Sequence, residues 1–364
     1  MASTHAKARL LRCAALAPVG LIAVCLTGSA QSSGRPDAVF SVRGRITVLA
    51  ADGNRAAVTT HVKPGCGRIV VWTAPRKRST QVKPGILGCG GDGVAQVAIG
   101  AGSVAWIEQG GGNNLEMIVM AAKLGGTRKQ IEFATNGDRA GADPTGAWVG
   151  HLEGGGSVLA YNSWRQICEK PADQGCGEND PLLRLTNQEL VRIAPQHRTV
   201  VTRGPAAYPL AAAGGGWMAI ESAGGVTVRA ASGVQVATVP DAETGPRAVA
   251  LSKTRLAIER TSTLDLYDPG TGTAVKSLPL GRPSAVRLAD VSSKLALRRG
   301  SHRLVLVRLS DGKRISFPLR PGAAATLVGA RLTEAGLFYA YNTRSASLPG
   351  RIVFEPMGKL LARF

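Results

Sequence analysis

The chain is poor in aromatic residues, which make up 4% of its 364 positions, and it has only 5 histidines. It shows no heptad repeat and no sustained 3.6-residue period, whereas glycine is abundant at 46 residues. Long amphipathic helices require such a period. The composition therefore excludes a coiled coil or helical bundle and favours many short strands joined by tight turns.

Sequence signatures of enzymes and metal sites are also missing. No His-Glu-x-x-His, Gly-x-Ser-x-Gly or Cys-x-x-Cys motif occurs. The segment Asn136–Asp143 resembles part of a calcium loop, but the acidic residue that an EF-hand needs at its twelfth position is absent. We therefore predict no catalytic residues, no metal site and no cofactor, and we favour a protein that is not an enzyme.

Residues 1–30 have the composition of a secretory signal peptide. Three basic residues precede an apolar core from Ala14 to Leu26, which is too short to cross a bilayer, and small residues then lead to Ala30. No later stretch is long and apolar enough to be transmembrane. We predict cleavage after Ala30, with residues 31–45 as a linker or closing strand.

Two alternatives to cleavage stay open. Cys25 could be acylated, as in a lipoprotein, although the residue before a lipidated cysteine should be small and here it is Val24. The apolar core could also remain attached as an uncleaved anchor. All three possibilities place the rest of the chain outside the cytoplasm, secreted or associated with the cell envelope.

Four cysteines remain after residue 30, and an even number in an exported chain indicates disulfide bonds. Pairing between sequence neighbours, Cys66 with Cys89 and Cys168 with Cys176, is the simplest connectivity. A four-thiolate zinc site is the alternative, but no Cys-x-x-Cys pair is present to begin one. We therefore predict two disulfides.

Positive charge is the strongest compositional signal, since 44 Lys and Arg outnumber 24 Asp and Glu to give a net charge of +20. Such a field attracts polyanions at a distance. The only basic run is Arg76–Arg78, and no aromatic residues interleave with it as stacking platforms for bases. Nucleic acid is thus disfavoured, and an anionic envelope polymer is favoured, unless the charge serves solubility alone.

Seven short segments look like copies of one another. Their third residue is Ala in six copies and Trp in one, the fourth is apolar, and the fifth is polar. Successive third positions are separated by 49, 54, 59, 38, 39 and 44 residues. The β-propeller has about 40–50 residues per four-stranded blade. We predict an all-β fold, a closed seven-bladed β-propeller with four-stranded antiparallel blades over residues 46–364, from the segments Arg55–Thr59, Val104–Glu108, Val158–Asn162, Trp217–Glu221, Arg255–Glu259, Lys294–Arg298 and Phe338–Asn342.

Two other stretches combine a turn with a strand in the same way. Ala51–Val58 and Leu264–Gly272 resemble the WD40-like and TolB-like propeller repeats of bacteria, and the resemblance runs along residues 46–364. It implies the propeller fold. The Gly-His and Trp-Asp pairs of WD40 repeats are missing, since Trp72 is followed by Thr73. This departure weighs against a WD40-type role in assembly.

Strand direction predicts which face of the disc carries function. With strands a to d in each blade, the a–b and c–d turns lie on one face, and the b–c and d–a connections lie on the other. We call the second the looped face, because we assign to it the long connections Thr60–Gly67, Ile86–Gly93, Asn136–Thr145, Trp164–Asp180 and Pro195–Ala206. Long loops on a rigid scaffold often carry binding residues.

The ends of the ring are harder to assign. Lys359–Phe364 alternates apolar and polar residues and is predicted as strand d of the last blade. Ala38–Val42 is then one strand more than seven blades need. It either pairs beside Lys359–Phe364 or forms a cover segment.

Two sets of candidate site residues follow. The looped face should present stacking groups and hydrogen-bond donors from Trp164, Arg165, His197, Arg299 and His302. The fifth residues of the copied segments should form a ring at one height, made of Thr59, Glu108, Asn162, Glu221, Glu259, Arg298 and Asn342. Its three carboxylates suit a cation or basic ligand groups, and the alternative is that the ring satisfies backbone groups of b–c turns.

These observations predict an exported, non-catalytic propeller that binds a protein, peptide or glycan partner at the cell envelope through its looped face. The first alternative is a glycan hydrolase or lyase with a central pocket. A second alternative is a basic disc retained by anionic wall polymer.

Overall fold

The structure of the chain is a computed structural model. It describes residues 38–63, 66–76, 78–82, 93–112, 114–137, 144–171, 174–177, 179–194, 197–222, 224–240, 248–281, 285–301, 303–317, 325–343 and 349–364. The predicted signal peptide lies outside these residues, as do Cys89 and His302.

Seven four-stranded antiparallel sheets make up the fold. The first strand of the chain is β1 (Ala38–Val42). Blade 1 has β2 (Arg45–Asp52), β3 (Arg55–Lys63), β4 (Cys66–Thr73) and β5 (Arg78–Val82). Blade 2 has β6 (Gly93–Gly100), β7 (Ser103–Gly110), β8 (Glu116–Lys123) and β9 (Arg128–Thr135). Blade 3 has β10 (Gly146–Gly155), β11 (Val158–Cys168), β12 (Leu183–Ile193) and β13 (Arg198–Arg203).

A short 3-10 helix (Pro205–Ala207) leads into blade 4, which has β14 (Leu210–Gly214), β15 (Trp217–Ser222), β16 (Gly225–Ala230) and β17 (Gln235–Pro240). Blade 5 has β18 (Ala248–Leu251), β19 (Leu256–Glu259), β20 (Thr263–Tyr267) and β21 (Ala274–Pro279). Blade 6 has β22 (Arg287–Val291), β23 (Leu295–Arg299), β24 (Leu304–Arg308) and β25 (Arg314–Phe317). Blade 7 has β26 (Ala325–Leu332), β27 (Gly336–Thr343) and β28 (Gly350–Pro356), and α1 (Met357–Leu361) follows it.

The prediction of an all-β, seven-bladed propeller is confirmed. Each copied segment lies at strand b of one blade, second from the central axis. Their third residues have no exposed surface in any blade. Strand b is covered on both faces by neighbouring blades, so a small side chain is favoured where the blades converge. The exception, Trp106, is also fully buried, and its indole nitrogen donates to Glu108 at 2.7 Å.

The ring is closed by the beginning of the described chain. β1 pairs antiparallel with β28, from Ala38 opposite Phe354 to Val42 opposite Gly350, and so supplies the fourth strand of blade 7. Without β1, the outer edge of β28 would be open to pairing with other chains. The extra strand seen in the sequence is therefore the closing strand.

The prediction that Lys359–Phe364 forms a strand is wrong. Residues 357–361 form α1, in which Met357 and Leu360 are buried against the core shared by blades 6 and 7. These two residues are three apart, which places them on one face of a helix. No helix in the described part of the chain has the length and apolar character needed to span a membrane.

The predicted long connection Pro195–Ala206 is also wrong. Its central part, Arg198–Arg203, is β13, the outermost strand of blade 3, which pairs with β12. The strand carries basic side chains because it is outermost. Arg198 and Arg203 both form ion pairs with Glu189. The turn between β12 and β13, in which the Ala194 N–H donates to the His197 carbonyl at 3.0 Å, is therefore a c–d turn and does not lie on the looped face.

A side chain links the last blade to the first. Asn342 in β27 accepts a hydrogen bond from the Ile46 backbone N–H at 2.8 Å and donates to the Ile46 carbonyl at 2.7 Å. Ile46 lies in β2, the innermost strand of blade 1, whose inner edge has no neighbouring strand in its sheet. The amide of Asn342 thus pairs with Ile46 as a strand neighbour would.

Replacing Asn342 by Leu should destabilise the whole ring. Leucine leaves the buried N–H and C=O of Ile46 without partners, and each such group costs about 1–3 kcal/mol, so we expect a loss of about 2–6 kcal/mol. Urea unfolding of the purified protein measures this loss. Gln130→Leu, which removes an exposed amide from the outermost strand of blade 2, is the control and should change stability little. Equal stability of N342L and the wild type would show that the bond does not hold the ring.

Candidate functional site

The looped face carries a disulfide in its longest described b–c connection. Cys168 is the last residue of β11, and it is bonded to Cys176 with a Cα–Cα distance of 5.8 Å. This predicted pair is confirmed. The second predicted disulfide joins Cys66 to Cys89. Of these two residues, only the backbone of Cys66 lies in the described part of the chain.

The structure does not bring the five predicted binding residues together. Trp164 and Arg165 lie in β11 of blade 3, and Arg299 ends β23 of blade 6. His197 is in the turn between β12 and β13, on the face opposite the looped face, so its predicted placement is wrong. Trp164 is only 8% exposed, which makes it a buried support and not a contact surface. His302 lies outside the described residues.

The predicted ring of strand-b residues lies mostly in the interior. Glu221 is half-buried, and the other members are at most 6% exposed. The carboxylate of Glu259 accepts two bonds from Arg298, both 3.0 Å, and a third from the Leu288 N–H at 2.6 Å. Thr59 bonds Thr47 within its own blade. In the part of the chain that the structure describes, no group of three ligating side chains could hold a metal.

Three ring residues hold the next blade in place. Asn342 does so between blades 7 and 1, and Glu259 between blades 5 and 6. Asn162 of blade 3 accepts from the Leu210 N–H of blade 4 at 2.6 Å and donates to the Ala207 carbonyl at 2.6 Å. These three of the seven ring residues bond backbone groups of the following blade, namely those of Ile46, Leu210 and Leu288 in its innermost strand and that of Ala207 just before it. These groups do not belong to the residues' own b–c turns.

Two cavities that share lining residues lie along the innermost strands, one toward each face, and we refer to them together as the channel. The cavity on the looped face has a volume of about 370 Å3, and its lining includes His151, Glu153, Glu221 and Leu288. On the opposite face, at the a–b turns, a cavity of about 360 Å3 is lined by Glu153 and by residues of blades 1 to 7 such as Asp290. Glu153 lines both cavities, so it marks the waist of the channel.

Three charged groups from different blades meet at this waist. The carboxylate of Glu153 in β10 is the main cause that raises the pKa of Arg331 in β26, and Asp290 in β22 adds to the effect. Burial raises the pKa of Glu153, against the opposing charge of Arg331. Burial also raises the pKa of Asp290 to about 6. Asp290 accepts backbone bonds from Leu332 at 3.0 Å and Val291 at 2.9 Å.

This cluster is the main part of the channel that sequence reasoning missed. Blades 3, 6 and 7 are distant along the chain, and only closure of the ring brings Glu153, Asp290 and Arg331 near one another. One feature of the sequence could have indicated this cluster. In each of these blades the innermost strand contains a charged residue whose sequence neighbours are apolar or small. Opposite charges at the waist attract strongly, because the surroundings screen them poorly.

A group of rings lies beside the mouth of the channel on blades 3 and 4. His151 sits at a bulge in β10 with φ of 51°, and its Nε2 is 3.2 Å from the Tyr208 hydroxyl. The ring of Trp164 lies 5.2 Å from that of Tyr208 and stacks on Trp148 at 6.3 Å. Burial lowers the pKa of His151, so the neutral imidazole is favoured. We call these four residues the aromatic wall.

Comparisons with known proteins leave the function open. No protein family profile and no curated protein sequence matches the chain. A solved structure described as the mitotic checkpoint complex contains a chain with 14% identity and a TM-score of 0.46, covering 96% of this chain and 99% of that one. A structure from a study of two prolyl endopeptidases has 11% identity and a TM-score of 0.49, covering 86% of this chain and 50% of that one. At this level of similarity neither protein carries a functional conclusion.

The raised pKa of Asp290 predicts a pH-dependent stability. The folded protein holds this proton more tightly than the unfolded chain, whose carboxyl titrates near about pH 4. The stabilising contribution of Asp290 is therefore complete below about pH 4 and is lost as pH rises through about 6. Asn cannot ionise and so mimics the neutral acid. We therefore expect the free energy of unfolding of the wild type, relative to that of Asp290→Asn, to decrease as the pH rises from about 4 to about 6 and to stay constant above about pH 6.

Denaturant unfolding of both proteins at a series of pH values measures this difference. Asp180→Asn is the control with the opposite sign, because Lys170 holds the pKa of Asp180 below its usual range. Its stabilising contribution is present at neutral pH and is lost on acidification. A difference between wild type and D290N that does not change with pH would contradict the account of the waist.

Proposed function

We propose that this protein is an exported, non-catalytic binding protein that holds a partner protein or peptide on its looped face, beside the mouth of the channel. A rigid ring presents several loops at once, which suits binding and scaffold roles. The observation that carries the proposal is the hairpin formed by β11 and β12. At 11 residues each, these are the longest strands in the described part of the chain.

The hairpin is braced where it extends from blade 3. The disulfide of Cys168 lies at its tip, and the Glu169 N–H donates to the Leu182 carbonyl at 3.0 Å. An ion pair joins Arg184 to Glu169 at 2.8 Å, and Lys170 pairs with Asp180 across the connection. A segment held in this way loses little conformational freedom when it binds, so more of the contact energy contributes to affinity.

Apolar side chains are exposed on this braced hairpin. Ile167, Leu182 and Leu185 are 36%, 40% and 37% exposed. They are three of the seven large apolar side chains that the described residues leave exposed. Ile167 is opposite Arg184 and Leu185 is opposite Gln166, so Ile167 and Leu182 lie on one face of the hairpin and Leu185 lies on the other. Exposed apolar residues that lie close together mark interaction surfaces, whereas single ones are ordinary. Their chemistry fits a protein or peptide partner better than a free glycan.

Export and charge support the same proposal. The signal-like residues 1–30 indicate the envelope or the outside as the place of action. The net charge of +20 would speed the encounter with an anionic partner more than it would fix affinity. Charge thus explains how a partner arrives, and the hairpin explains where it stays.

Removing the apolar groups of the hairpin should abolish partner binding without unfolding the protein. In the triple variant Ile167→Ser, Leu182→Ser, Leu185→Ser we expect at least about a tenfold loss of affinity for isolated cell envelopes, since each buried aliphatic side chain contributes about 1 kcal/mol or more. Cosedimentation of the labelled protein measures affinity, and thermal melting checks the fold.

Val234→Ser is the matched control. Val234 is 63% exposed and lies in a c–d turn, on the face opposite the hairpin. It should leave binding unchanged. Binding that survives the triple variant and disappears only in high salt would show that diffuse charge retains the disc, as the wall-polymer alternative holds.

Glycan hydrolysis at the channel is the second candidate function. Glu153 and Asp290 favour it, because both have raised pKa values and line a water-accessible cavity. Against it, both oxygens of Asp290 accept backbone bonds, and Arg331 lies in the field of both carboxylates. Turnover of envelope glycans that Glu153→Gln abolishes would replace the binding proposal by this one.

A further inference from the structure

Two arginines face each other at the looped-face end of blade 6. Arg299 ends β23, and the register of the sheet places it directly opposite Arg287 in β22. Like charges at opposed positions of adjacent strands destabilise a sheet. The pair therefore needs a compensating interaction.

The guanidinium of Arg299 extends from blade 6 to the innermost strands of blades 7 and 1. One of its terminal nitrogens lies 3.6 Å from the point that a Cβ would occupy at Gly329, in the innermost strand of blade 7. The same point is 3.3 Å from the Cβ of Leu49, in the innermost strand of blade 1. A larger residue at position 329 would fill this space. Arg331 lies two residues further along β26 and so on the same face of the strand.

Arg331 and Arg299 differ in whether acidic side chains lie near their positive charge. Arg331 has two carboxylates in its field, those of Glu153 and Asp290. In the described part of the chain, no hydrogen bond or ion pair to Arg299 is found, and its charged neighbour is Arg331. Desolvation in the channel, followed by the charge of Arg331, lowers the pKa of Arg299. An anion bound beside Arg299 would favour the charged guanidinium and so raise the pKa of Arg299.

Arg287 is also available for another partner. Its side chain is 60% exposed, and its nearest acidic oxygen, on Glu259, is 3.6 Å away. That carboxylate already accepts two bonds from Arg298 and one from the Leu288 N–H. A modest movement of Arg287 therefore costs the protein little.

The sequence offers no acidic group to neutralise this pair from nearby connections. The segments that link the strands of blades 5 to 7 on the looped face are residues 280–286, 300–303, 318–324 and 344–349. They contain no aspartate or glutamate. These segments therefore supply no carboxylate that would compete with an anion from solution for the two arginines.

We propose that Arg299 and Arg287 form a binding site for a tetrahedral oxyanion, the phosphate or sulfate group of a ligand that enters the channel from the looped face. A guanidinium binds such a group with two parallel hydrogen bonds. Two guanidiniums from adjacent strands require an acceptor with more than two oxygens, which a phosphate has and a single carboxylate lacks. No hairpin residue takes part, so this site and the partner-binding hairpin can fail independently.

Binding of inorganic phosphate tests the site. Isothermal titration and thermal melting should show saturable binding of phosphate and sulfate, while acetate and chloride at the same ionic strength give no saturable effect. Arg299→Gln should weaken phosphate binding at least tenfold, and Arg287→Gln should weaken it by a smaller factor. Arg299→Lys keeps the charge and loses the paired bonds, so its affinity should fall between wild type and R299Q.

Stability without phosphate separates this role from a structural one. Arg299→Gln relieves the repulsion within the pair, so its melting temperature in low-phosphate buffer should equal or exceed that of the wild type. Arg255→Gln, near an a–b turn on the opposite face, is the control and should bind phosphate as the wild type does. Wild-type affinity in R299Q would overturn the proposal, as would a wild-type response that acetate reproduces at matched ionic strength. Tighter binding of glycerol phosphate than of inorganic phosphate would support a phosphate ester as the ligand, and the reverse would support free phosphate.

Discussion

Each blade begins with a strand whose inner edge has no strand to pair with, and the ring depends on how those edge groups are satisfied. Buried backbone N–H and C=O groups need partners, because each unsatisfied one costs a sizeable part of a domain's net stability. In three of the blade junctions the partner is a polar side chain at the end of strand b in the preceding blade. These bonds run from Asn342 to Ile46, from Asn162 to Leu210, and from Glu259 to Leu288. Consecutive blades are thereby fixed in height, and β1 completes the circle on the outside.

This constraint separates structural from functional positions on the looped face. Three of the residues that end strand b, Asn342, Asn162 and Glu259, bond to the following blade and are therefore not available to a ligand. The next residue along, such as Arg299, projects beyond the brace and extends to the innermost strands of blades 7 and 1. The bulge in β10 likewise turns His151 toward the channel mouth. The two sides of the mouth therefore differ: rings and carboxylates line blades 3 and 4, whereas blade 6 carries Arg299, for which the described residues offer no hydrogen bond or ion pair.

Much of the fold could be predicted from the sequence, because the strand-b pattern repeats in every blade. For closure, the sequence offered Ala38–Val42 as a candidate strand but did not identify its partner, since pairing with Gly350–Pro356 joins opposite ends of the chain and leaves no local trace. Leu360 looked like part of a strand only because its three-residue spacing from Met357 was ignored. The strand Arg198–Arg203 was missed because an outermost strand can be basic on its exposed side. The waist of the channel could not be predicted for a similar reason. Its three charged residues are far apart along the chain and come together only across the axis of the folded ring.

Native-state hydrogen exchange at the amides of Ile46, Leu210 and Leu288 tests the central claim most directly. These N–H groups bond to side chains of the preceding blade. If those side chains hold the ring, the three amides should exchange as slowly as those in the centres of strands b, through global unfolding alone. If they exchange as fast as amides in exposed turns while strands b stay protected, the inner edges open independently, and the brace does not hold the ring.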